Sequence, residues 1–232
     1  MTESVDAQDA DIASVAALDE PVRRELYRYV VARGEPVGRD EAAMGTGVAH
    51  HVAKFHLDKL VADGLLEADY SRPPGRGGPG AGRPAKRYRR SSRDITVSLP
   101  DRRYDLAGHV MAEAITASTR QAIPVADALR AAARATGRAL GDQAGGGGEP
   151  DPVAALTGVL ASHGFEPRTG EGGLILANCP FHRLAANYTA LVCGMNLDLI
   201  DGLLDALDPG DLCARLDPGP GRCCVTIGPS SR

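Results

Sequence analysis

Residues 45–70, GTGVAHHVAKFHLDKLVADGLLEADY, decide how the rest of the chain is read. Across 48–61 the apolar residues Val48, Val52, Ala53, Leu57, Leu60 and Val61 recur at spacings of three and four, the pattern of a helix with one buried face. His50, His51, Lys54 and Asp58 are left looking outward. Gly64 follows the last periodic turn, where a left-handed residue ends a helix, and 65–70 reads as a strand. Upstream, 39–44 is a short helical run, and Gly45-Thr46-Gly47 predicts the tight turn between two steeply packed helices.

The next stretch, SRPPGRGGPGAGRPAKRYRR at 71–90, is strongly basic. Residues 71–93 carry eight cations, Arg72, Arg76, Arg83, Lys86, Arg87, Arg89, Arg90 and Arg93, and no Asp or Glu. The glycines and prolines of 73–84 predict a loop, and 86–90 a strand that pairs back. Short helix, glycine turn, longer amphipathic helix and basic hairpin follow in the order of a winged helix-turn-helix, whose second helix enters the DNA major groove. A basic run alone is also a solvated face, and a helix pair alone is also a packed core. Their adjacency in this order predicts a nucleic-acid interface, with His50, His51 and Lys54 toward the bases and Arg83, Lys86, Arg87 and Arg89 on the phosphates.

AHHVAKFHLDKLVADGLLE and GRPAKRY resemble the recognition helix and wing of ArsR-like bacterial transcription regulators, and the resemblance covers residues 15–95. Regulators of this type meet two half-sites about one DNA turn apart, which requires two wings in symmetric register. The expected partners are therefore double-stranded DNA and a second copy of the chain.

The 232-residue chain has a formal net charge of −4, so its basic character is local and not that of a general polyanion binder. No stretch approaches the ~18 to 20 apolar residues that span a bilayer. Residues 1–20 lack the basic start and apolar core of a signal peptide. The expected location is cytoplasmic, where cysteines stay reduced and free for metal or redox chemistry.

The fold class expected is mainly α with an α+β C-terminal domain. Residues 1–14 form an acidic tail that composition predicts to be disordered. The winged helix-turn-helix domain takes 15–95, with its first helix over 19–32 and Asp19 as cap. Residues 96–140 form a helical linker whose stripes through Leu106, Val110, Met111, Ala114 and Ile115, and through Leu129, Ala132, Ala133 and Leu140, suit a dimer interface or, as the alternative, packing onto the C-terminal domain of the same chain. Residues 141–150, GDQAGGGGEP, read as a flexible linker. The sensor domain takes 151–229: a helix over 151–163, a hairpin of 165–168 with 174–177, helices over 180–192 and 195–207, and strands over 212–216 and 222–227.

All five cysteines, Cys179, Cys193, Cys213, Cys223 and Cys224, fall within 179–232. Cys179 lies at a strand-to-helix junction, where a positive helix end favours thiolate. Cys193 closes the helix that starts there. Cys223 and Cys224 sit on the last strand and point to opposite faces. Cys213, between Leu212 and Ala214, reads as a small core hydrophobe. Gathered thiolates suit an iron-sulfur cluster or zinc, although the spacing is not that of a C-x-x-C knuckle.

NCPFHRLAANYTALVCGMNLDLIDGLLDAL and the later GRCCVTI resemble the C-terminal sensor of the iron-sulfur-biogenesis repressors, an ArsR-like branch (Suf regulators) that holds a cluster on three cysteines. By position the matching residues are Cys179, Cys193 and Cys223, with Cys224 the alternative third ligand. What the resemblance implies is a redox- or iron-responsive repressor. A rival expectation keeps the DNA-binding half and makes the C-terminal domain a binder of a small apolar ligand, with the cysteines as wall residues. Enzymatic activity is not expected: there is no phosphate loop with its lysine, no nucleophile elbow and no His-Glu-x-x-His helix.

Overall fold

The computed structural model describes residues 2–71, 85–145, 151–170 and 172–230. The chain is mainly helical with two small antiparallel sheets, and it divides into two compact units, Thr2–Val97 and Ser98–Arg232. Among the described residues no helix is long and apolar enough to cross a membrane.

The N-terminal unit starts with helix α1 (Thr2–Ala17), where composition predicts a disordered tail. Contacts explain the difference: Ser14 is buried and its hydroxyl donates to the Ala10 and Asp63 carbonyls, Ala17 is buried, and Asp11 pairs with Arg93. Helix α2 (Pro21–Arg33) is capped by Glu20 rather than Asp19, its carboxylate accepting from the Val22 and Arg23 N–H groups. Strand β1 (Val37–Gly38) leads into α3 (Arg39–Thr46), and Gly47, at φ 68°, turns the chain toward α4 (His50–Ala62). Gly45 lies inside α3 and not in the turn. A Cβ there would stand 2.1 Å from the Tyr29 ring, so glycine lets α3 close on α2.

Ala53, Leu57 and Leu60 fill the buried face of α4, as the spacing predicts. Strands β2 (Leu66–Ser71) and β3 (Ala85–Arg90) then pair, Glu67 opposite Arg89 and Tyr70 opposite Lys86, and β1 joins the other edge of β3. Tyr88, on the central strand, is fully buried against the α2 and α4 side chains.

The C-terminal unit is built around two long helices, α5 (Tyr104–Gln121) and α6 (Val125–Gly145), followed by α7 (Pro152–Ser162) and the hairpin of β4 (Pro167–Gly170) and β5 (Gly173–Leu176). Next come α8 (His182–Asn187), α9 (Thr189–Leu207), β6 (Leu212–Leu216) and β7 (Val225–Pro229), giving a four-stranded sheet of order β4-β5-β7-β6.

Helix α6 is not a separate linker. Its small-residue face packs on α9 of the same chain, and a Cβ on Gly137 would lie 1.9 Å from the Leu199 carbonyl oxygen. Gly202 answers from α9, where a Cβ would lie 2.1 Å from the Arg134 carbonyl oxygen. The α6 stripe thus packs onto the C-terminal domain of its own chain, while Ile115 of α5 stays exposed. The expected linker 141–150 is helical through Gly145, and the rest of it lies outside the described residues.

Candidate functional site

Two places concentrate chemistry, one in each unit. In the N-terminal unit it is the outward face of α4. His51 and Lys54 are exposed, and so is Phe55, 64% accessible despite its large apolar ring. His50, also exposed, is held by Asp40, with Nε2 2.7 Å from the carboxylate.

Beside this face a small polar network joins α4 to β3. Asp58 accepts from Lys86 Nζ at 2.6 Å and from the Tyr88 hydroxyl at 2.8 Å. Burial raises the Asp58 carboxyl, but hydrogen bonds from Lys86 and Tyr88, with the charges of Lys86 and Arg39, outweigh it and leave the group below the usual aspartate range. The same burial, together with the Asp58 charge, pushes the Tyr88 phenol up to about 12.

The cations expected on phosphates are largely occupied. Lys86 belongs to Asp58, Arg87 donates to the Pro36 carbonyl and so ties β3 to the chain before β1, and Arg89 pairs with Glu67 at 3.1 Å. Arg83 lies outside the described residues. Exposed Arg90, at the end of β3, was named in the sequence only as part of the basic run. Phe55 was missed because it belongs to neither the apolar stripe nor the charged face.

In the C-terminal unit the chemistry is sulfur. The sequence places Cys193 at a helix end and Cys223-Cys224 on the last strand. Instead α9 runs through Cys193 and Gly194 after a break at Tyr188, and Cys223 and Cys224 precede β7. The Cys223 N–H donates to the Leu176 carbonyl at 2.8 Å and the Cys224 carbonyl accepts from Asp217 N–H at 2.7 Å. The adjacent cysteines take different partners: Cys224 is disulfide-bonded to Cys193, with Cα atoms 6.4 Å apart, whereas Cys223 and Cys179 are free thiols in contact with one another.

The loop bearing Cys179 is clamped by its neighbours. Arg102 donates to Asn178 Oδ1 at 2.5 Å and to the Cys179 carbonyl at 3.1 Å. The Cys223 thiol donates to the Cys179 sulfur. Against the opposing effect of burial, this bond, the Phe181 N–H and the Arg102 charge bring Cys179 down to about 7. Donation to that sulfur and burial together push the Cys223 thiol up. Cys213 stands apart on β6, half-buried, with only a long contact to the Pro229 carbonyl at 3.9 Å.

Among the described residues no three His, Cys, Asp or Glu side chains gather around one point that could hold a metal ion. An apolar cavity walled by Leu140, Val159, Leu160, Phe165, Ile200 and Leu203 measures about 10 Å³. That is room for about one water, so an apolar ligand would have to part the helices. No family model matches the chain, and neither a curated protein nor a solved structure matches it.

Proposed function

We propose that the protein is a sequence-specific DNA-binding transcription regulator, acting as a homodimer, with a winged helix-turn-helix in its N-terminal unit and a cysteine-based sensor in its C-terminal unit. The observation that carries this reading is the outward face of α4. It exposes His51, Lys54 and Phe55, the last set edge-on to its neighbour His56, while Asp58, the acid on that helix face, is already neutralised by Lys86. A helix presenting an imidazole and an apolar ring suits base edges and thymine methyl groups in a major groove, with Lys54 beside them for the backbone. Lys86, Arg87 and Arg89 then act by holding the hairpin in place, and the phosphate contacts pass to Lys54 and Arg90, with Arg72, Arg76 and Arg83, outside the described residues, as further cations of the basic run.

The sensor reading concerns Cys179, Cys193, Cys223 and Cys224, proposed to hold an iron-sulfur cluster. The donor set suits such a group in kind: the sulfurs stand in two pairs joined by the Cys223-Cys224 peptide. Cys193 and Cys224 must first be reduced. Such a cluster, when bound, supplies a redox centre that responds to oxidants and to iron supply. The chain's own part is to hold Cys179 close to ionisation and to fix its loop through Arg102 and Asn178.

The experiment is a salt titration of affinity for DNA fragments enriched from a random pool by the full-length protein. Affinity should fall linearly on a log-log plot, and Lys54→Ala and Arg90→Ala should each lower the slope by about one. Affinity that ignores salt, or a pool that never enriches, ends the reading.

A further inference from the structure

Two buried asparagines in the C-terminal unit are treated differently. Asn178 has both ends of its amide occupied: Nδ2 donates to the Asp101 carbonyl at 2.9 Å and the Gly164 carbonyl at 2.6 Å, and Oδ1 accepts from Arg102. Asn196, only 1% exposed, has half of its amide occupied. Its Nδ2 donates to Cys223 Sγ at 3.2 Å, and its Oδ1 meets no donor among the described residues. An unpaired buried carbonyl oxygen is costly, and the cost would vanish with the leucine that α9 carries at 199 and 203.

Its position gives the reason. Asn196 follows Cys193 by one turn of α9, so the two share a helix side. Cys193 is bonded to Cys224, and the neighbouring Cys223 both receives the Asn196 N–H and touches Cys179. The free oxygen therefore belongs to a side chain in contact with the Cys223 sulfur, whose own proton is already given to Cys179. A cation is what such a set lacks.

We propose that Asn196 Oδ1 is a metal ligand, completing with Cys179 and Cys223 a mixed sulfur-oxygen site for a divalent transition-metal centre, iron of the proposed cluster included. The inference rests on reading the cysteines as metal-bearing and adds a donor that cysteine spacing does not reveal. Borderline metals accept thiolate and carbonyl donors together.

The test uses full-length protein, reduced anaerobically and titrated with Co²⁺ alone. Sulfur-to-cobalt charge transfer reports the thiolates, and the d–d bands report the donor set. Asn196→Asp keeps an oxygen and discards the N–H; Asn196→Leu discards both. The aspartate variant should bind Co²⁺ as well as the wild type, with shifted d–d bands. The leucine variant should bind at least about tenfold more weakly.

Wild-type affinity and spectrum in the leucine variant overturn the proposal. So does an aspartate variant as weak as the leucine one, since the amide then acts only through its N–H on Cys223. If Asn196→Leu fails to fold by circular dichroism, Asn196→Asp decides alone: retained binding with shifted bands supports the ligand, and loss overturns it. A wild-type protein that takes no Co²⁺ removes the metal reading and the inference together, leaving DNA binding to its own test.

Discussion

The face of α4 and the sulfur-bearing end of the C-terminal unit follow opposite rules. Around α4, most polar groups near the core are paired with one another, Asp58 with Lys86 and Tyr88, Arg87 with the Pro36 carbonyl, Arg89 with Glu67, although Arg39 Nε has no hydrogen-bond partner among the described residues. His51, Lys54 and Phe55 stay exposed beside this network. At the sulfurs the separation disappears. Cys223 and Asn196 are both core and site, and one amide oxygen stays unpaired. A surface that meets a polyanion can set aside spare side chains for it, whereas a buried donor set has to be built from the core itself. Substitutions should therefore divide cleanly into stability and function in the first region and mix them in the second.

The largest effect should come from Gly137→Ala. The new methyl meets the Leu199 backbone of α9, which cannot move aside as a flexible side chain would, and the expected cost is about 3 kcal/mol in thermal or urea unfolding. Because α9 carries both Cys193 and Asn196, Co²⁺ uptake should fall with it.

Asp58→Ala should cost about 2 kcal/mol, since it strands the Tyr88 hydroxyl in the core and frees Lys86. Lys54→Ala should change stability by no more than about 0.5 kcal/mol while weakening DNA binding, which is the separation that the comparison demands. The pH dependence checks the network from another side. The folded-state pKa of Asp58 lies below its unfolded value of about 3.9, so its contribution is complete above that value and is lost as pH falls through the folded one. Asp58→Asn should flatten acid unfolding in that window, and an unaltered acid limb would break the argument.

A smaller effect distinguishes the two free thiols in contact. Alkylation of the metal-free, native protein should strike Cys179 before Cys223, with a rate that climbs as pH passes about 7, because Cys179 is half-exposed and drawn toward thiolate whereas Cys223 is buried and pushed up. Peptide mapping of partly alkylated protein reads this directly, and labelling of Cys223 first would reverse the assignment.

How far the sequence reaches differs between the regions for the same reason. The stripe Ala53, Leu57 and Leu60 has a helical period, and the strands read over 65–70 and 86–90 lie within one residue of β2 and β3, so α4 and its hairpin were legible. Pairing was not: no spacing rule says that Lys86 reaches Asp58 instead of a phosphate, because that depends on register across two elements. Cys193 read as the close of one helix and Met195 as the start of the next, yet the apolar period on both sides carries α9 through Gly194, and this shift puts Cys193 and Asn196 on one side. The stripe through Leu129, Ala132 and Ala133 suited a second copy, whereas Gly137 and Gly202 bring its helix onto α9 of the same chain, because small residues announce close approach without naming the partner. Asn196 gave no signal, since a single amide in an apolar helix has no period.

The smallest expected effect is a control within one residue type. Cys213→Ser should change stability by no more than about 0.5 kcal/mol and leave Co²⁺ uptake and its spectrum unaltered. Cys213 lies opposite Gly228 on the β6-β7 pair, half-buried, and its sulfur makes only a 3.9 Å contact. A serine hydroxyl there keeps the size and gains a stronger donor toward the same carbonyl. Cys223→Ser differs in each respect: the site is fully buried, the sulfur takes the Asn196 N–H, and it touches the second thiol. That substitution should lose charge-transfer intensity and stability together. If the two serine variants behaved alike, the sulfurs would be interchangeable core filler, and the contrast between a spare surface and a site made of core would have no chemical basis.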